Sequence, residues 1–211
     1  MKKPGAMILA AGNSSRMNFP KPLLQWQDQT LLEYQINQLT MLPFSEIIVV
    51  LGHEAEAILN KVSIGDPRVT FLNCQTYREG LSSSLKFGLE YAADKHDAVL
   101  LMLVDLPLIQ LKTIKQVFEA GVTLLNGVCE PFAIQPQYEN QKGHPVFIGH
   151  FQGLNWSGLD GDIGAKPLIG QLKNRECIDT NDIGVIFDID TPQDYEKALS
   201  IYTRRTGNPK N

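Results

Sequence analysis

The feature that most constrains this chain is a regular alternation: short, unbroken apolar runs are each followed by a stretch with helical spacing. Ala6–Ala10, Glu46–Leu51 ("EIIVVL"), Val69–Asn73 and Ala98–Val104 ("AVLLMLV") read as strands. Thr30–Met41, Ala55–Lys61, Ser82–Ala93 and Leu111–Ala120 read as helices, the first with Leu31, Leu32, Ile36 and Leu39 at helical spacing. A strand without polar residues has no face to turn to water, so both its faces must be covered. Strand–helix alternation of this kind predicts a mostly parallel sheet with helices on both sides, a three-layer α/β/α sandwich. The second half is less regular. Strands are expected at Gly127–Ile134, Pro145–Ile148 and Val185–Ile189, with "QPQYENQKG" as a polar link. A short helix is expected at Ala165–Leu172 and a closing helix at Thr191–Arg204, which Thr191-Pro192 would cap and Asp194 would favour electrostatically.

The 211 residues suffice for one domain with a proper core, expected over 1–203, followed by a polar tail over 204–211 that frays. A formal net charge of −4 offers no basic face for nucleic acid. The opening "MKKPGAMILAAG" imitates a leader, but its apolar run ends at Ala11, short for a secretory core. No apolar run is long enough to span a bilayer. Cys74, Cys129 and Cys177 lie far apart and form no CxxC, which speaks against a disulfide or a zinc site and for a reducing compartment. A cytoplasmic protein without nucleic-acid or membrane partners is expected, and an anionic substrate would need local cations.

Such cations follow the first strand, in "MILAAGNSSRMNFPKPLL" (Met7–Leu24). Ala10, Ala11, Gly12, Ser14 and Ser15 are small enough to let a ligand approach the backbone, whose successive N–H groups can form an anion nest. The carboxyl edge of a parallel sheet is where such folds bind ligands. Arg16 adds a planar fork for phosphate oxygens and Lys21 a point charge. The loop is neither a GxxxxGK[ST] nor a GxGxxG. From composition alone, a surface turn with two solvated cations explains it equally well. Further along, "YREGLSSSLKFGL" offers a turn at Gly80 and three serines at a helix start, of which Ser82 can cap; capping needs one serine, not three. Asp105 directly follows the Ala98–Val104 strand, where it would point out of the same sheet edge.

"LAAGNSSRMNFPKPLL" resembles LAAGxSxRMGxxK, the signature of nucleotidyltransferases related to the molybdenum cofactor cytidylyltransferase. "EGLSSSLKFGL", "VDLPLI", "KGHPVFI", "GLDGDIGAK" and "FDIDTPQDY" are similar, in family order, to GxSSSLxxGL, GDQPLV, GHPVLF, GDxGAR and DIDTPEDL. The resemblance implies a three-layer fold related to the GT-A glycosyltransferases. It implies a Mg²⁺-dependent enzyme, with Mn²⁺ as an alternative, that moves CMP from CTP to the phosphate of molybdopterin and releases pyrophosphate. A molybdoenzyme or its maturation factor would be the protein partner. On this likeness Leu9, Ala10, Ala11, Gly12, Asn13, Ser14, Ser15, Arg16 and Lys21 hold the triphosphate, and Gly80, Ser82, Ser83 and Ser84 contact base and ribose. Arg16, Lys21 and Asp105 act in catalysis, Asp105 and Asp190 hold the metal, and Gly143, His144, Gly161 and Asp162 contact the acceptor.

Asp188 and Asp190 alternate along the expected last strand and would face opposite sides, leaving Asp188 structural. Four of the departures from the pattern bear on the site. Asn18 replaces a glycine, though asparagine tolerates positive φ; Val104 and Leu106 replace Gly and Gln, and Lys166 stands where Arg is usual. The Ala-Ala-Gly opening looks more like the cytidylyl than the guanylyl branch. Transfer to a sugar phosphate or other small phosphate, or nucleotide binding without turnover, are the alternatives.

Overall fold

Side-chain alternation along the first strand sets the layers. The computed structural model describes residues 3–14 and 16–207. Strand β1 (Gly5–Ala10) is buried throughout and pairs in parallel with β4 (Ile47–Leu51) on one side and β6 (Ala98–Leu103) on the other. Ala6, Ile8 and Ala10 join one apolar cluster, while Met7 and Leu9 join a second. The first cluster takes α1 (Leu31–Thr40), α2 (Ala55–Leu59) and α4 (Leu111–Gly127) through Leu32, Ile36, Ile58, Ile114 and Val117. The second takes α3 (Leu81–Ala93) and α5 (Lys166–Gly170) through Leu85, Leu89 and Leu168. The result is the α/β/α sandwich that the apolar strands call for.

Among the described residues the sheet has eight strands, seven of them in the order β10-β7-β9-β6-β1-β4-β5, where β5 is Val69–Asn73, β7 Phe132–Tyr138, β9 Val146–Gly149 and β10 Asn174–Asp179. The eighth, β8 (Gln141–Lys142), pairs with β7. Winding runs from β1 outward to β5 and then returns to the other side of β1 with β6. Ligands bind at such a switch point, beyond the strand ends. Strand β9 is antiparallel to both β6 and β7. Its reversal brings Gly143 and His144, just before it, to the edge where β1 and β6 finish. A third apolar cluster joins α6 (Pro192–Thr206) to a small hairpin of β2 (Gln25–Trp26) and β3 (Gln29–Thr30), around buried Trp26, Leu31 and Ile189. Thr30 with Glu33 and Thr191 with Asp194 form capping boxes that start α1 and α6.

Three expectations are corrected. Val185–Ile189 is not a strand: Ile183–Val185 is a short 3-10 turn and the chain then runs irregularly to Thr191. The reason is buried Asp182, whose carboxylate accepts from Gln110 N (2.8 Å), Thr113 Oγ1 (2.8 Å) and Gly184 N (3.1 Å), so these residues are held against the start of α4 instead of pairing in a ladder. The last strand is instead β10, an exposed edge whose "NRECID" carries no apolar run to announce it. Helix α4 continues to Gly127, so β7 begins only at Phe132 and takes in part of the supposed polar link. Glu139 (φ 48°) and Asn140 (φ 65°) then form the two-residue turn into β8. Finally, α6 runs to Thr206, with Arg205 donating to Leu108 O at 2.9 Å, so the expected tail starts inside a helix; residues 208–211 lie outside the described ones.

Gly121 tests how α4 sits on the sheet. Alanine normally improves on glycine in a helix interior by about 1 kcal/mol. Here a Cβ would approach the Phe147 ring to 2.3 Å. Gly121→Ala is therefore expected to destabilise the protein by about 1–3 kcal/mol, read as a lower urea midpoint; a raised midpoint would contradict this packing.

Candidate active site

Four charged side chains from three distant segments meet at the carboxyl edge of the sheet. Lys21 Nζ donates to Asp105 Oδ2 at 3.0 Å and to Asp190 Oδ1 at 2.7 Å. Arg16 Nη2 lies 2.8 Å from Asp190 Oδ2. Each partner is delivered by a fixed piece of backbone. Asp105 follows β6: Val104 N donates to Leu9 O (3.1 Å), and the buried Gln35 side chain of α1 donates to Val104 O (2.9 Å). Asp190 precedes α6, and Ile189 N donates to Asp105 O at 2.8 Å, which ties the two carboxylate segments directly. Lys21 opens a one-turn 3-10 helix after Pro20, and its N–H donates to Ser14 Oγ at 3.0 Å. The loop between takes left-handed conformations at Ser14 and Asn18, both φ 51°, so asparagine accepts the turn where glycine is usual. A Cβ at Gly12 would meet nothing within 4 Å, leaving open room beside the turn. Ser15 lies outside the described residues.

Charge is concentrated here. Burial works to lower the Lys21 pKa, but Asp105 and Asp190 outweigh it and hold the ammonium above the ordinary lysine value. Hydrogen bonding from Lys21 in turn depresses the Asp190 carboxyl, with Arg16 adding to the effect. Asp188 lies in the irregular segment before α6 and not on the strand from which its facing was inferred. With no strand there, its carboxyl stays close enough to feel Asp190, Asp105 and Lys21; desolvation first, then the two acids, raise its pKa. His144 is lowered by desolvation, which outweighs its contact with Leu101 O and the pull of Asp105, so it is a neutral imidazole near neutrality.

Cavities open on both sides of this cluster. The first, about 540 Å³, is lined by Ala11, Gly12, Asn13, His53, Tyr77 and Ser84, among others. The second, about 520 Å³, has largely apolar walls including Leu9, Leu101, Leu103, Val146 and Ile169, with Lys142, His144, Lys166 and Arg175 among its polar groups. A small cavity of about 120 Å³, containing Ser14, Lys21 and Asp105, shares Ala11, Gly12 and Leu81 with the first and Leu9, Leu81 and Leu103 with the second. Lys21 and Asp105 of the charged cluster therefore sit at the junction.

The serine-rich helix start is built differently from the expectation. Gly80 (φ 110°), not Ser82, is the N-cap of α3. Ser82 is fully buried and its hydroxyl donates to Asp160 O at 3.1 Å, while Ser83 Oγ pairs with Thr76 Oγ1 at 2.7 Å. Gly161 O and Asp162 Oδ1 accept the N–H groups of Ser82 (3.0 Å) and Leu81 (3.1 Å). A Cβ at Gly80 would strike Gly161 at 2.5 Å, which is why this close approach needs glycine. Two motifs far apart in sequence thus form one wall, and Asp162 lines both large cavities. Gly143 packs where a Cβ would meet Val185 O at 2.2 Å, beside the second cavity. Sequence reasoning missed His53, Tyr77 and Gln35. His53 had a signal, a histidine two residues after the buried run "IIVVL" at the same edge; buried Gln35 had none, because its partner is a backbone carbonyl.

Comparison with known proteins gives this geometry its class: the chain is a nucleotidyltransferase. It belongs to the MobA-like NTP transferase domain family, whose profile matches residues 6–175. It is similar to the molybdenum cofactor cytidylyltransferase of Escherichia coli K12, 26% identical over 201 residues, covering 93% of this chain and 96% of that one. The nicotine blue oxidoreductase of Paenarthrobacter nicotinovorans is 25% identical over 198 residues, covering 92% and 95%. Proteins named for different reactions thus share the whole length. Among solved structures, Rv0371c of Mycobacterium tuberculosis H37Rv superposes with a TM-score of 0.76 at 26% identity, over 94% of this chain and 98% of that one. A manganese complex of Rv0371c gives a TM-score of 0.72 at 25% identity over the same shares. Among the described residues no helix is long and apolar enough to cross a membrane.

The two neighbouring aspartates are expected to respond to acid with opposite signs. A depressed carboxyl adds stability above its unfolded pKa, about 3.9, and loses it as pH falls through the folded value. Asp190→Asn should therefore lower the thermal midpoint at neutral pH and converge with wild type as acid protonates Asp190. A raised carboxyl destabilises at neutral pH only, so Asp188→Asn should raise the midpoint there, with no gain below about pH 4. Thermal melts across pH check both signs.

Proposed function

We propose that the protein transfers CMP from CTP to the phosphate of a molybdopterin-type acceptor, forming molybdopterin cytosine dinucleotide and pyrophosphate. The observation that carries this reading is the junction: two substrate-sized cavities, within the usual range of roughly 300–1,000 Å³, meet at Lys21 and Asp105. The first cavity takes the nucleoside between the Gly12 turn and Tyr77. The second takes the acceptor. Its apolar walls suit a ring body better than a sugar, and Lys142, Lys166 and Arg175 suit an anion. The name of the full-length E. coli relative supports the choice of CTP and acceptor, as does the Ala10-Ala11-Gly12 opening.

The chemistry asks little of a proton-transfer group. An acceptor phosphate oxygen attacks the α-phosphorus in line, the bond to the bridging oxygen breaks, and pyrophosphate leaves with that electron pair. An ionised phosphate needs no base, which agrees with a half-buried His144 whose pKa is lowered by desolvation. Charge repulsion between the substrates is the main obstacle, so binding and alignment dominate. Lys21 would stabilise charge building at the α-phosphate, and Arg16 with the Gly12–Ser14 backbone would hold the departing β- and γ-phosphates. Asp105 and Asp190 offer hard oxygen donors, and Lys21 already fills the place of a cation between them. A Mg²⁺ or Mn²⁺ held there would neutralise phosphate charge. Among the described residues no group of three or more His, Cys, Asp or Glu is placed around one metal position. The pair therefore fits a metal completed by substrate oxygens.

With purified protein, Mg²⁺ and molybdopterin, pyrophosphate release is expected with CTP and at least about tenfold less with ATP, GTP or UTP, the scale of one good contact. Asp105→Ala should lower turnover by about 100-fold or more while the protein stays folded. Release with a sugar phosphate but not with molybdopterin would replace the acceptor. Nucleotide binding without turnover under every condition would make the protein a binding factor.

A further inference from the structure

Lys21 and Arg16 are both engaged with carboxylates. Lys21 Nζ reaches Asp105 Oδ2 and Asp190 Oδ1, and Arg16 takes the other oxygen of Asp190. We infer that Lys21, seconded by Arg16, is a built-in counter-cation that keeps Asp105 and Asp190 closed to divalent ions until a polyphosphate draws the two basic side chains away, so that metal and nucleotide enter together. The inference rests on the reading that Asp105 and Asp190 hold the metal.

The charge balance makes the case. Within the bridge two carboxylates face two cations, so the bridged contacts balance as they stand, with Asp188 nearby but outside them. A divalent ion arriving alone would have to displace Lys21 and leave a mostly buried ammonium, 13% exposed, without its partners. Stranding a buried charge is costly. A nucleoside triphosphate removes that cost, because its oxygens give Lys21 and Arg16 a new partner beside the same turn. The carboxylates are then uncompensated and attract the metal. The two basic residues are held unequally. Lys21 is anchored through its own N–H on Ser14 Oγ (3.0 Å) and shielded, whereas the Arg16 side chain is 67% exposed. Lys21 is the principal block and Arg16 the lesser one. Coupling of this sort is reciprocal, so each ligand tightens the other.

The test is Mn²⁺ binding to the full chain without nucleotide, followed by the electron paramagnetic resonance of free Mn²⁺. Lys21→Met is expected to tighten binding by at least about tenfold, as removal of a close opposing charge should. Lys21→Arg, which keeps the cation, should stay near wild type, and Arg16→Met should tighten binding by a smaller factor. Adding Asp105→Asn to Lys21→Met should cancel the gain. Unchanged affinity in both Lys21→Met and Arg16→Met overturns the inference. If Lys21→Met does not fold, the exposed Arg16→Met decides alone: tighter binding supports the inference and no change overturns it. Failure of the underlying metal assignment would look different, since Mn²⁺ bound together with CTP would then survive both Asp105→Asn and Asp190→Asn.

Discussion

The bridge from one ammonium to two carboxylates is the contact on which the rest of the molecule converges. Asp105 and Asp190 come from segments 84 and 169 positions beyond Lys21. Like charges placed so close would repel without a cation between them, and a half-buried lysine would lose its proton more readily without acids beside it. Each group makes the others tenable. The contrast with Asp188 shows the same rule from the other side: near the same acids but outside the hydrogen-bonded bridge, its carboxyl is raised where Asp190 is lowered.

Holding that bridge in place is the work of ordinary backbone contacts. The reversal of winding beside β1 opens the crevice, and the antiparallel β9 returns Gly143 and His144 to it. The bond from Ile189 N to Asp105 O, the Gln35 amide on Val104 O, and buried Asp182 at the start of α4 fix the two acidic segments relative to each other. On the far side, the cap of α3 by Gly161 and Asp162 builds a partition that both large cavities share. A rigid frame around a charged junction suits a reaction governed by alignment and charge, not by proton transfer.

Much of the candidate site was legible because its motifs are local. "LAAGNSSR" follows a strand that could only be buried, and Asp105 follows another, so both had to emerge at one sheet edge. The convergence of Arg16, Lys21, Asp105 and Asp190 agrees with that reading. Ser82 misled because a serine at a helix start usually caps it, while here Gly161 O and Asp162 Oδ1, about 80 residues away, accept the first N–H groups of α3. The facing of Asp188 was inferred from a strand that does not form, so the alternation behind that inference does not apply there. His53 could have been found from its place just after a buried strand, whereas Tyr77 and Gln35 escaped notice because nothing in their neighbourhoods marks them as facing a cavity or holding a carbonyl.

The sequence alone determined the layered architecture, since unbroken apolar strands and amphipathic helices can satisfy water in few ways, and it determined the sheet edge at which the small, basic loop emerges. Tertiary structure alone decided the path of residues 180–191, the exposed edge strand β10, the partition formed by Gly80 and Asp162, and the pairing of Lys21 with both acids. Those features depend on contacts between residues far apart in the chain, where burial of one carboxylate or the fit of one glycine outweighs local preference.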